Sequence, residues 1–490
     1  MIVKIIVISL YALMIIIVGY LGMRKTKSFS DFFLGGGNIG PWMTAFSYGT
    51  AYFSAVVFIG FAGKVGWGFG YSGMWIGVFN ALIGVLGVWA LLGWRIKKMS
   101  VKYGISTMSE FFEKRYNCPM LGVITPIIIF VFMLPYSAAV FIGLSYLFTA
   151  SFPGIEYWHA VVFMGVFTTI YLVMGGYKSM AMIDMIFGMI MTLGVIVLVF
   201  FTIREGGGAN NITITLKNIE PKLISIIGPP GWWPLFSLII LTSVAPFAMP
   251  QLIQKFYAIR DRKSVRVGMI ASTFFALLIG VIAYYMGSTT RVFLTPEGTP
   301  AAFLADGKPN VDALMPELLN FVIPESLSII ILLLILSASM STLAALVLIS
   351  SSSVIKDFYA GVIKKGKETS DNKLTLYMRW TSAIFIFISM MIALAKPDTI
   401  VAILGISWGA IGSAFLGPFI WGLFWKGANK YGAFYSTIFG LATCIILFII
   451  WGPKSSPQAG TIGMGVSLAV NPIVSFLARN RQSLPLPIEK

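Results

Sequence analysis

Three residues in a long apolar stretch have the types and the spacing that suit a small hard cation. Ala338, Ser341 and Thr342 lie at positions i, i+3 and i+4 of ILSASMSTLAALVLISSSSVIKDFY, so they share one face of a helix. A backbone carbonyl followed by two hydroxyls on that face offers the neutral oxygen ligands that a hard cation such as sodium takes. Small hydroxyl residues also support close helix packing in membranes, so the spacing alone leaves a sodium site and a packing face both open.

Two apolar stretches contain residues that interrupt a helix. The first, AFSYGTAYFSAVVFIGFAG, has Ser47, Gly49, Thr50 and Ser54 where a continuous helix favours Leu or Ala. The second, LTSVAPFAMPQLIQKFYAI, has Pro246 and Pro250, and proline removes a helix hydrogen bond and frees carbonyls upstream. Such breaks persist at membrane depth only where they line a cavity or pack on protein. The two stretches therefore predict a binding site or, alternatively, two ordinary kinked helices.

The sequence lacks the motifs of common enzymes. It contains no HExxH or P-loop pattern. Gly68–Gly73 matches GxGxxG but lies between two apolar stretches with no preceding strand, which excludes a dinucleotide site. His159 begins an apolar run and is typical of a membrane interface, and Cys118 and Cys444 form no CxxC pair. We therefore expect no enzyme activity and no cofactor, with a coupling ion as the only metal.

Composition places these residues in a membrane protein. The chain has 490 residues, of which 58% are hydrophobic and 11% are charged, and its mean hydropathy is +0.88. Soluble domains carry about 25% charged residues. Apolar runs near the roughly 18-residue length that crosses a bilayer recur along the whole chain. The sequence predicts an all-α polytopic membrane protein with many passes through the plasma membrane.

Thirteen apolar stretches between charged or Pro/Gly-rich breaks are predicted to be transmembrane helices. Their approximate limits are 2–23, 41–62, 70–95, 121–150, 157–175, 183–203, 233–257, 268–290, 327–355, 377–395, 399–424, 431–452 and 460–478. Charged residues follow the first stretch and no small-residue cleavage site is present, so we expect this helix to be retained rather than removed as a signal peptide.

The distribution of positive charge predicts the orientation of the helices. With the N-terminus outside and the spans alternating, the cytoplasmic side collects 26 of the 35 Lys and Arg residues, Lys255 among them. The N-terminus is therefore predicted outside and the C-terminus inside. A basic surface that faces anionic lipid explains the net charge of +17 without nucleic acid as a partner.

The two interrupted stretches divide the chain into two halves. Each begins a set of five spans, at 41–203 and at 233–424, within a single transport domain of residues 1–490. An extra helix at 2–23 precedes the sets and two helices at 431–478 follow them. Broken helices at corresponding positions of two halves indicate an inverted-repeat secondary transporter with its site near the middle of the membrane.

Four blocks of the sequence resemble the solute:sodium symporter family, which includes sodium/proline, sodium/galactose, sodium/sialic acid and sodium/pantothenate transporters. The blocks are SDFFLGGGNIGPWMTAFSYGTAYFSA, GGYKSMAMIDMIFGMIM, MPQLIQKFYAIRDRKSVRVG and SASMSTLAALVLISSSSVIKDFY. They occur in the order and at the spacing of that family. The resemblance implies thirteen helices, a leucine-transporter-type five-plus-five inverted repeat and alternating access.

The resemblance also implies a particular sodium site. In this family the shared site combines backbone carbonyls of the first core helix with a carbonyl and hydroxyls of the eighth. Matching the motifs assigns the carbonyls to Thr50, Phe53 and Ala338 and the hydroxyls to Ser341 and Thr342. This agrees with the broken helix and the hydroxyl face described above, so sodium binding is favoured over packing alone.

The match is less complete where the solute would bind. The proline transporters have an acid at the position of Tyr52 and tryptophans at those of Val56 and Thr242, so proline itself is not favoured. Sugar transporters use Gln, Glu, Asn and Lys, whereas this chain offers chiefly Gln251. We expect an amino acid or a small carboxylate, which N–H groups at a broken helix end can bind. The candidate pocket residues, each of which could equally serve packing, are Ser47, Tyr52, Ser54, Tyr136, Thr242 and Ser243.

Asp184, in GGYKSMAMIDMIFGM, is the one acid at the margin of a predicted span. Family members with a second sodium site combine this acid with serines on the eighth core helix, but the matching residues here are Ala344 and Ala345. Near the cytoplasmic end of its span, Asp184 is expected to be partly solvated or paired with a base such as Lys178. A role in the inner gate or in sodium exit follows, with one sodium ion per solute.

Together these features predict a sodium-coupled symporter that imports a small organic solute by alternating access. Sodium binds from outside, the solute binds beside the broken helices, and each raises the affinity for the other. A cation channel and a transporter-like solute sensor remain alternatives, because a fold alone does not establish transport. The expected partners are sodium, a small-molecule solute and the lipid bilayer.

Overall fold

The computed structural model describes residues 2–25, 28–152, 154–364 and 369–478. Within these ranges the chain is helical, with no β-strand and two isolated β-bridges. The predicted all-α class is therefore confirmed. A helix satisfies its own backbone hydrogen bonds, which is what a hydrocarbon environment requires.

Nineteen α-helices lie within the described residues. In chain order they are α1 (Ile2–Lys25), α2 (Phe29–Leu34), α3 (Pro41–Tyr52), α4 (Ala62–Phe69), α5 (Met74–Phe79), α6 (Trp94–Tyr103), α7 (Met108–Tyr116), α8 (Pro119–Ser151), α9 (Tyr157–Glu205), α10 (Ala209–Ile219), α11 (Trp232–Val244), α12 (Pro250–Ala258), α13 (Arg262–Phe293), α14 (Leu314–Val322), α15 (Ser328–Ser352), α16 (Asp371–Ala395), α17 (Ile400–Phe424), α18 (Lys430–Trp451) and α19 (Ser456–Leu477).

Shorter helical segments continue or connect these helices. The π-helical segments are Val56–Phe61, Asn80–Gly87, Trp89–Gly93 and Ser353–Ile363. The 3₁₀ segments are Gly35–Gly37, Gly70–Gly73, Pro221–Ile224, Ala245–Ala248, Pro300–Ala302, Glu325–Leu327 and Pro453–Ser455.

The described residues contain ten helical stretches that are long and apolar enough to cross a membrane. The count is eleven if Trp232–Ala248 and Pro250–Ala258, bent by 41°, form one span. It is lower than the predicted thirteen because 56–103 runs as one helical stretch of 48 residues and Tyr157–Ile170 is short. Gly176, at φ 71°, turns the chain inside α9, in a conformation that favours glycine.

The first broken helix is interrupted later than the sequence suggests. Gly49 lies within α3, and the break falls at Phe53, which has an extended backbone (φ −105°, ψ 109°). The assignment of Gly49 as the break is therefore wrong. A Cβ at Gly49 would lie 2.6 Å from the Phe275 ring, so this glycine allows α13 to approach α3 closely.

The second broken helix is interrupted between its two prolines. Pro246 lies in the 3₁₀ segment that ends α11, and Pro250 is the first residue of α12. Between them Met249 is extended (φ −78°, ψ 114°). Proline fits the first turn of a helix, where its missing N–H has no partner to lose, so α12 begins where Pro250 permits.

The helices that carry the candidate site form the core. α15 and α17 are buried along nearly their whole lengths. The outer helices α1, α16 and α18 expose large apolar side chains such as Leu10, Trp380 and Ile449. Lipid tails are as apolar as these side chains, so such an outer surface suits a bilayer.

Candidate functional site

Oxygen atoms of α3 and α15 converge where α3 ends. The Thr342 Oγ1 lies 3.1 Å from the carbonyl oxygen of Ala338 and 3.4 Å from each of the carbonyl oxygens of Thr50 and Ala51. The Ser341 Oγ donates a hydrogen bond of 2.8 Å to the Thr50 Oγ1. All five residues are buried. We refer to this group of residues as the oxygen cluster.

The break in α3 explains why backbone carbonyls of this helix belong to the oxygen cluster. The last carbonyls of a helix have no amide partner in a following turn, and α3 ends at Tyr52. The carbonyls of Thr50 and Ala51 therefore face α15 instead of a next turn of their own helix. Neutral oxygens in a buried space suit a small hard cation.

Four of the five residues assigned to the sodium site lie in the cluster, and the fifth lies beside it. Phe53 is at the break itself, where its N–H donates to the Gly49 carbonyl at 3.2 Å. The centre of its ring lies 4.9 Å from that of the Tyr52 ring and 6.4 Å from that of the Phe275 ring. Ala51, which no motif marks as a ligand, contributes a carbonyl because it occupies the turn that the break exposes.

Asp184 is fully enclosed rather than partly solvated. Only 1% of its side chain is exposed, and its Oδ2 accepts a 2.5 Å hydrogen bond from the Ser47 Oγ. Its basic partner is Lys255, whose Nζ lies 3.9 Å from the same Oδ2 and donates to the Ser47 Oγ at 2.8 Å. The expected partner Lys178 is exposed. The partner assignment is wrong because burial and pairing depend on tertiary packing: α12 packs against α3, and this places Lys255 beside Asp184 of α9.

The contacts of Asp184 correct two further expectations. Lys255 is 0% exposed, so it does not belong to the cytoplasmic surface charge. Ser47 contacts Asp184 and Lys255 and does not line the solute cavity described below. One feature of the sequence does indicate that Lys255 is buried: the residue lies within the predicted span 233–257.

The ion pair adjoins the oxygen cluster. Ser47 and Thr50 are three residues apart on α3, so they share one helix face. The Ser341 Oγ donates to the Thr50 Oγ1, and Ser47, on the same face of α3 as Thr50, donates to the Asp184 carboxylate. The two groups of polar residues therefore form one continuous buried region between α3, α9, α12 and α15.

A separate small cavity lies on the other side of the break in α3. Its free volume is about 10 Å³. It is lined by Tyr52, Ser54, Val56, Val57, Phe61, Asn80, Tyr136, Thr242, Tyr284, Leu404 and Trp408. None of these lining residues is charged. The cavity is thus bounded by both broken helices and by α8, α13 and α17.

Four of the six candidate pocket residues line this cavity: Tyr52, Ser54, Tyr136 and Thr242. Ser243 lies behind the wall, where its Oγ donates to the Oδ1 of Asn80 at 2.9 Å. The Tyr52 hydroxyl donates to the Thr242 carbonyl and so links the two broken helices across the cavity.

The aromatic walls of the cavity include residues that no feature of the sequence marks as functional. The Trp408 ring packs edge-to-face against the rings of Tyr52 and Tyr136. The distances between ring centres are 6.0 Å and 5.8 Å, respectively. Tyr284 and Asn80 complete the wall. Each of these residues lies in an unbroken apolar stretch, where nothing in the sequence marks one face as the inner one.

Comparison with known proteins identifies relatives over most of the chain. The model of the sodium:solute symporter family matches residues 32–440. The chain is 27% identical to the high-affinity proline transporter PutP of Bacillus subtilis over 445 residues, which cover 88% of this chain and 89% of that protein. It is 26% identical to the sodium/pantothenate symporter of Haemophilus influenzae over 437 residues, or 88% and 87% of the two chains.

Solved structures show the same fold. A Na+-coupled sialic acid symporter in a substrate-bound outward-open state matches with a TM-score of 0.81 at 18% identity, and 99% of both chains are covered. Mhp1, a nucleobase-cation-symport-1 family transporter, matches with a TM-score of 0.55 at 12% identity, covering 92% and 95%. These proteins are transporters and not enzymes, in agreement with the missing enzyme motifs.

Proposed function

The chain belongs to the sodium:solute symporter family, and on that premise we propose that it is a sodium-coupled symporter importing a small organic solute by alternating access. It is a multi-pass membrane protein. The observation that carries the proposal is the approach of the Thr342 hydroxyl to the carbonyls of Thr50 and Ala51, 3.4 Å from each. A cation held by oxygens of α3 and α15 would favour the arrangement in which these helices meet.

In the proposed site, sodium takes the carbonyls of Thr50, Phe53 and Ala338 and the hydroxyls of Ser341 and Thr342. The carbonyl of Ala51 is an additional ligand candidate because of its distance from the Thr342 hydroxyl. Sodium binding here would fix the broken end of α3, which also forms one wall of the solute cavity through Tyr52. A shared element of this kind gives the reciprocal coupling that symport needs.

The size of the cavity supports alternating access. About 10 Å³ is close to the least space that holds one water molecule, so a solute enters only when the helices around the cavity separate. On the side proposed to face the cytoplasm, Lys356 forms an ion pair with Glu110, and the Thr107 hydroxyl donates to Asp357 at 2.8 Å. We propose that these contacts between α7 and the continuation of α15 break when the site opens inward.

The cavity lining favours an amino acid or a small carboxylate over a sugar. A sugar needs many hydrogen-bonding groups, whereas most of this wall is aromatic or aliphatic, and the hydroxyls of Tyr52 and Thr242 already donate to backbone carbonyls. The aromatic rings suit the apolar part of a small solute. A solute carboxylate would bind N–H groups at the start of the helical segment that follows the break in α3, where the Val56 N–H now donates to the Ser54 Oγ.

We further propose that 56–103 and 157–205 each hold two spans, which gives the thirteen helices expected of this family. The two sets of five, at 41–203 and 233–424, then form the inverted repeats, with the N-terminus outside and the C-terminus inside. The likeness to the sialic acid symporter at a TM-score of 0.81 supports this arrangement.

Uptake by proteoliposomes tests the proposal. The purified protein is reconstituted and offered labelled amino acids and monocarboxylates, with an inward sodium gradient and with potassium in its place. We expect at least one of these solutes to accumulate only with the sodium gradient, and empty liposomes are the control. Sodium current without any solute dependence would contradict symport and favour a channel.

A further inference from the structure

Asp312 is a buried carboxylate at one end of the helix bundle, the outer end under the proposed topology, and only one of its two oxygens is paired. Its Oδ2 accepts a 3.2 Å hydrogen bond from the Ile400 N–H. Its Oδ1 has no hydrogen-bond partner among the described residues, although only 5% of the residue is exposed. A carboxylate oxygen withdrawn from water is stable only where a donor compensates it. The Oδ1 can therefore accept from a donor that does not belong to the protein.

Lys64 supplies a cation next to this carboxylate. A Cβ at Gly63 would lie 2.7 Å from the Val311 carbonyl oxygen, so α4 touches the segment before α14 exactly one residue ahead of Lys64 and Asp312. The Lys64 side chain makes no hydrogen bond or ion pair with the described residues. Burial raises the pKa of Asp312 to about 6, and the positive charge of Lys64 acts in the opposite direction. The two charges are thus neighbours that do not touch.

Lys396, a second cation near Asp312, already has partners. Its Nζ lies 3.4 Å from the centre of the Tyr157 ring and 4.7 Å from the centre of the Tyr146 ring. A cation over aromatic faces is stabilised there. Lys64 is half-buried and contacts no ring among the described residues. It is therefore the cation that can bind an anion at this place.

Both charges lie about one helical turn outside the solute cavity. Phe61 lines the cavity, and Lys64 follows it by three residues on the same helix face. Leu404 also lines the cavity, and Ile400, which binds Asp312, precedes it by four residues on α17. One turn spans ~5.4 Å along a helix. A solute that approaches from this end meets Lys64 and Asp312 before it reaches the cavity.

We propose that Lys64 and Asp312 bind the carboxylate and the ammonium group of an α-amino acid before it enters the cavity. The Lys64 ammonium donates to the solute carboxylate, and the Asp312 Oδ1 accepts from the solute ammonium. Two opposite charges that are close but not in contact leave a gap that a zwitterion bridges, whereas a monocarboxylate leaves the Oδ1 unpaired. The inference rests on the proposed symport and narrows its solute to amino acids.

Uptake by the reconstituted protein tests this outer site with three molecules of one carbon skeleton. The first is the labelled L-amino acid that the wild-type protein accumulates fastest with an inward sodium gradient. The other two, unlabelled, are the amine made by removing its carboxyl group and the carboxylic acid made by removing its amino group. Because each analogue lacks one of two charge-assisted bonds, we expect each to inhibit uptake at least about tenfold more weakly than the unlabelled amino acid.

Two variants assign the two bonds. In Lys64→Met the preference for the amino acid over the amine should fall below about threefold, while the preference over the carboxylic acid stays. In Asp312→Asn the pattern should reverse. Because the inhibition constants are compared within one variant, a change in the closure of the outer end cancels. Lys64→Arg keeps the cation and should keep both preferences.

Lys454→Met is the matched control, because it removes an exposed lysine whose charge also acts on Lys64. We expect both preferences to stay at their wild-type values. Sodium binding by each variant shows that it is folded, and either of the two variants above tests its own bond if the other does not fold.

Unchanged preferences in folded Lys64→Met and Asp312→Asn would overturn the inference. Wild-type accumulation of monocarboxylates but of no amino acid would also overturn it, as would a Lys454→Met variant that behaves like Lys64→Met. All of these results leave sodium-coupled uptake in place. Failure of the proposed function is different, since wild-type uptake would then show no dependence on sodium.

Discussion

At the scale of single residues, two hydroxyls of α15 make different contributions to the proposed sodium site. The Thr342 hydroxyl lies within 3.4 Å of three backbone carbonyl oxygens, whereas the Ser341 hydroxyl donates to the side chain of Thr50. Both groups are buried, so water cannot replace a lost ligand without a rearrangement. Sodium affinity should therefore respond to these two side chains more than to other hydroxyls of the same helix.

Replacing Ser341 and Thr342 together by alanine is expected to lower sodium affinity at least about tenfold, which corresponds to ~1.4 kcal/mol. The backbone carbonyls stay, but two oxygen ligands are lost. Sodium activation of uptake measures the effect. Ser339→Ala is the matched control, because the Ser339 hydroxyl bonds within its own helix to Ile335. Unchanged sodium activation in the double variant would contradict the assignment of the site.

Tyr52→Phe is expected to raise the KM for solute by about tenfold, because a buried carbonyl loses its donor at a cost of ~1–3 kcal/mol. The Tyr52 hydroxyl donates to the Thr242 carbonyl across the solute cavity. Tyr11→Phe serves as the control, since the Tyr11 hydroxyl contacts Ser337 away from the cavity. Initial uptake rates over a range of solute concentrations give the KM, and an unchanged value would exclude this link from the solute site.

At the scale of elements, the two broken helices determine what can bind. Each break leaves backbone groups without partners in the next helical turn. In α3 the exposed carbonyls of Thr50 and Ala51 are part of the oxygen cluster. In the second broken helix, extended Met249 separates Thr242, at the cavity, from Lys255, at the ion pair. One discontinuity thus lets a single span contribute to two different polar regions.

Pro246→Ala is expected to slow uptake more than it weakens sodium binding. Alanine restores a backbone N–H in the segment Ala245–Ala248, which allows part of the helical hydrogen bonding to return and stiffens the break. Transport rate and sodium affinity are measured on the same reconstituted protein. Pro472→Ala, inside α19 and away from the cavity, is the control. A normal transport rate for Pro246→Ala would show that the break is only structural.

At the scale of the whole molecule, the segment between α13 and α14 closes one end of the helix bundle. The Asp312 Oδ2 accepts a 3.2 Å hydrogen bond from the N–H of Ile400, the first residue of α17. Asp312 is only 5% exposed, and burial raises its pKa to about 6, although Lys64 and the Ile400 N–H act in the opposite direction. Under the proposed topology this closed end faces outside.

External acid is expected to favour the closed outer end and to slow uptake. Because the pKa of Asp312 is raised in the closed structure, protonation stabilises closure; this stabilisation is complete below about pH 4 and is lost as the pH rises above about 6. Initial uptake is measured while the outside pH is varied from 7 to 5 at constant internal pH. Asp312→Asn mimics the protonated side chain and should be slow with little pH dependence. If this variant keeps the wild-type pH profile, Asp312 is not the responsible group.

The sequence alone determined the class of the molecule and predicted the oxygen ligands of its proposed sodium site. Composition and apolar run length identify an all-α membrane protein, because a bilayer demands long apolar helices. The family follows from four blocks in order, and the model match over 32–440 confirms it. The face shared by Ala338, Ser341 and Thr342 could be predicted because its spacing is a local property of one helix.

Only the tertiary structure decided which distant residues meet. Lys255 and Ser47 are separated by 208 positions, and their contact follows from the packing of α12 against α3. The wall residues Asn80, Tyr284 and Trp408 lie in long, predominantly apolar helical stretches. Hydrophobic periodicity cannot mark the inner side of such a helix, since lipid and protein interior are equally apolar. The buried ion pair and the cavity wall therefore depend on helix packing, which no single stretch of the sequence specifies.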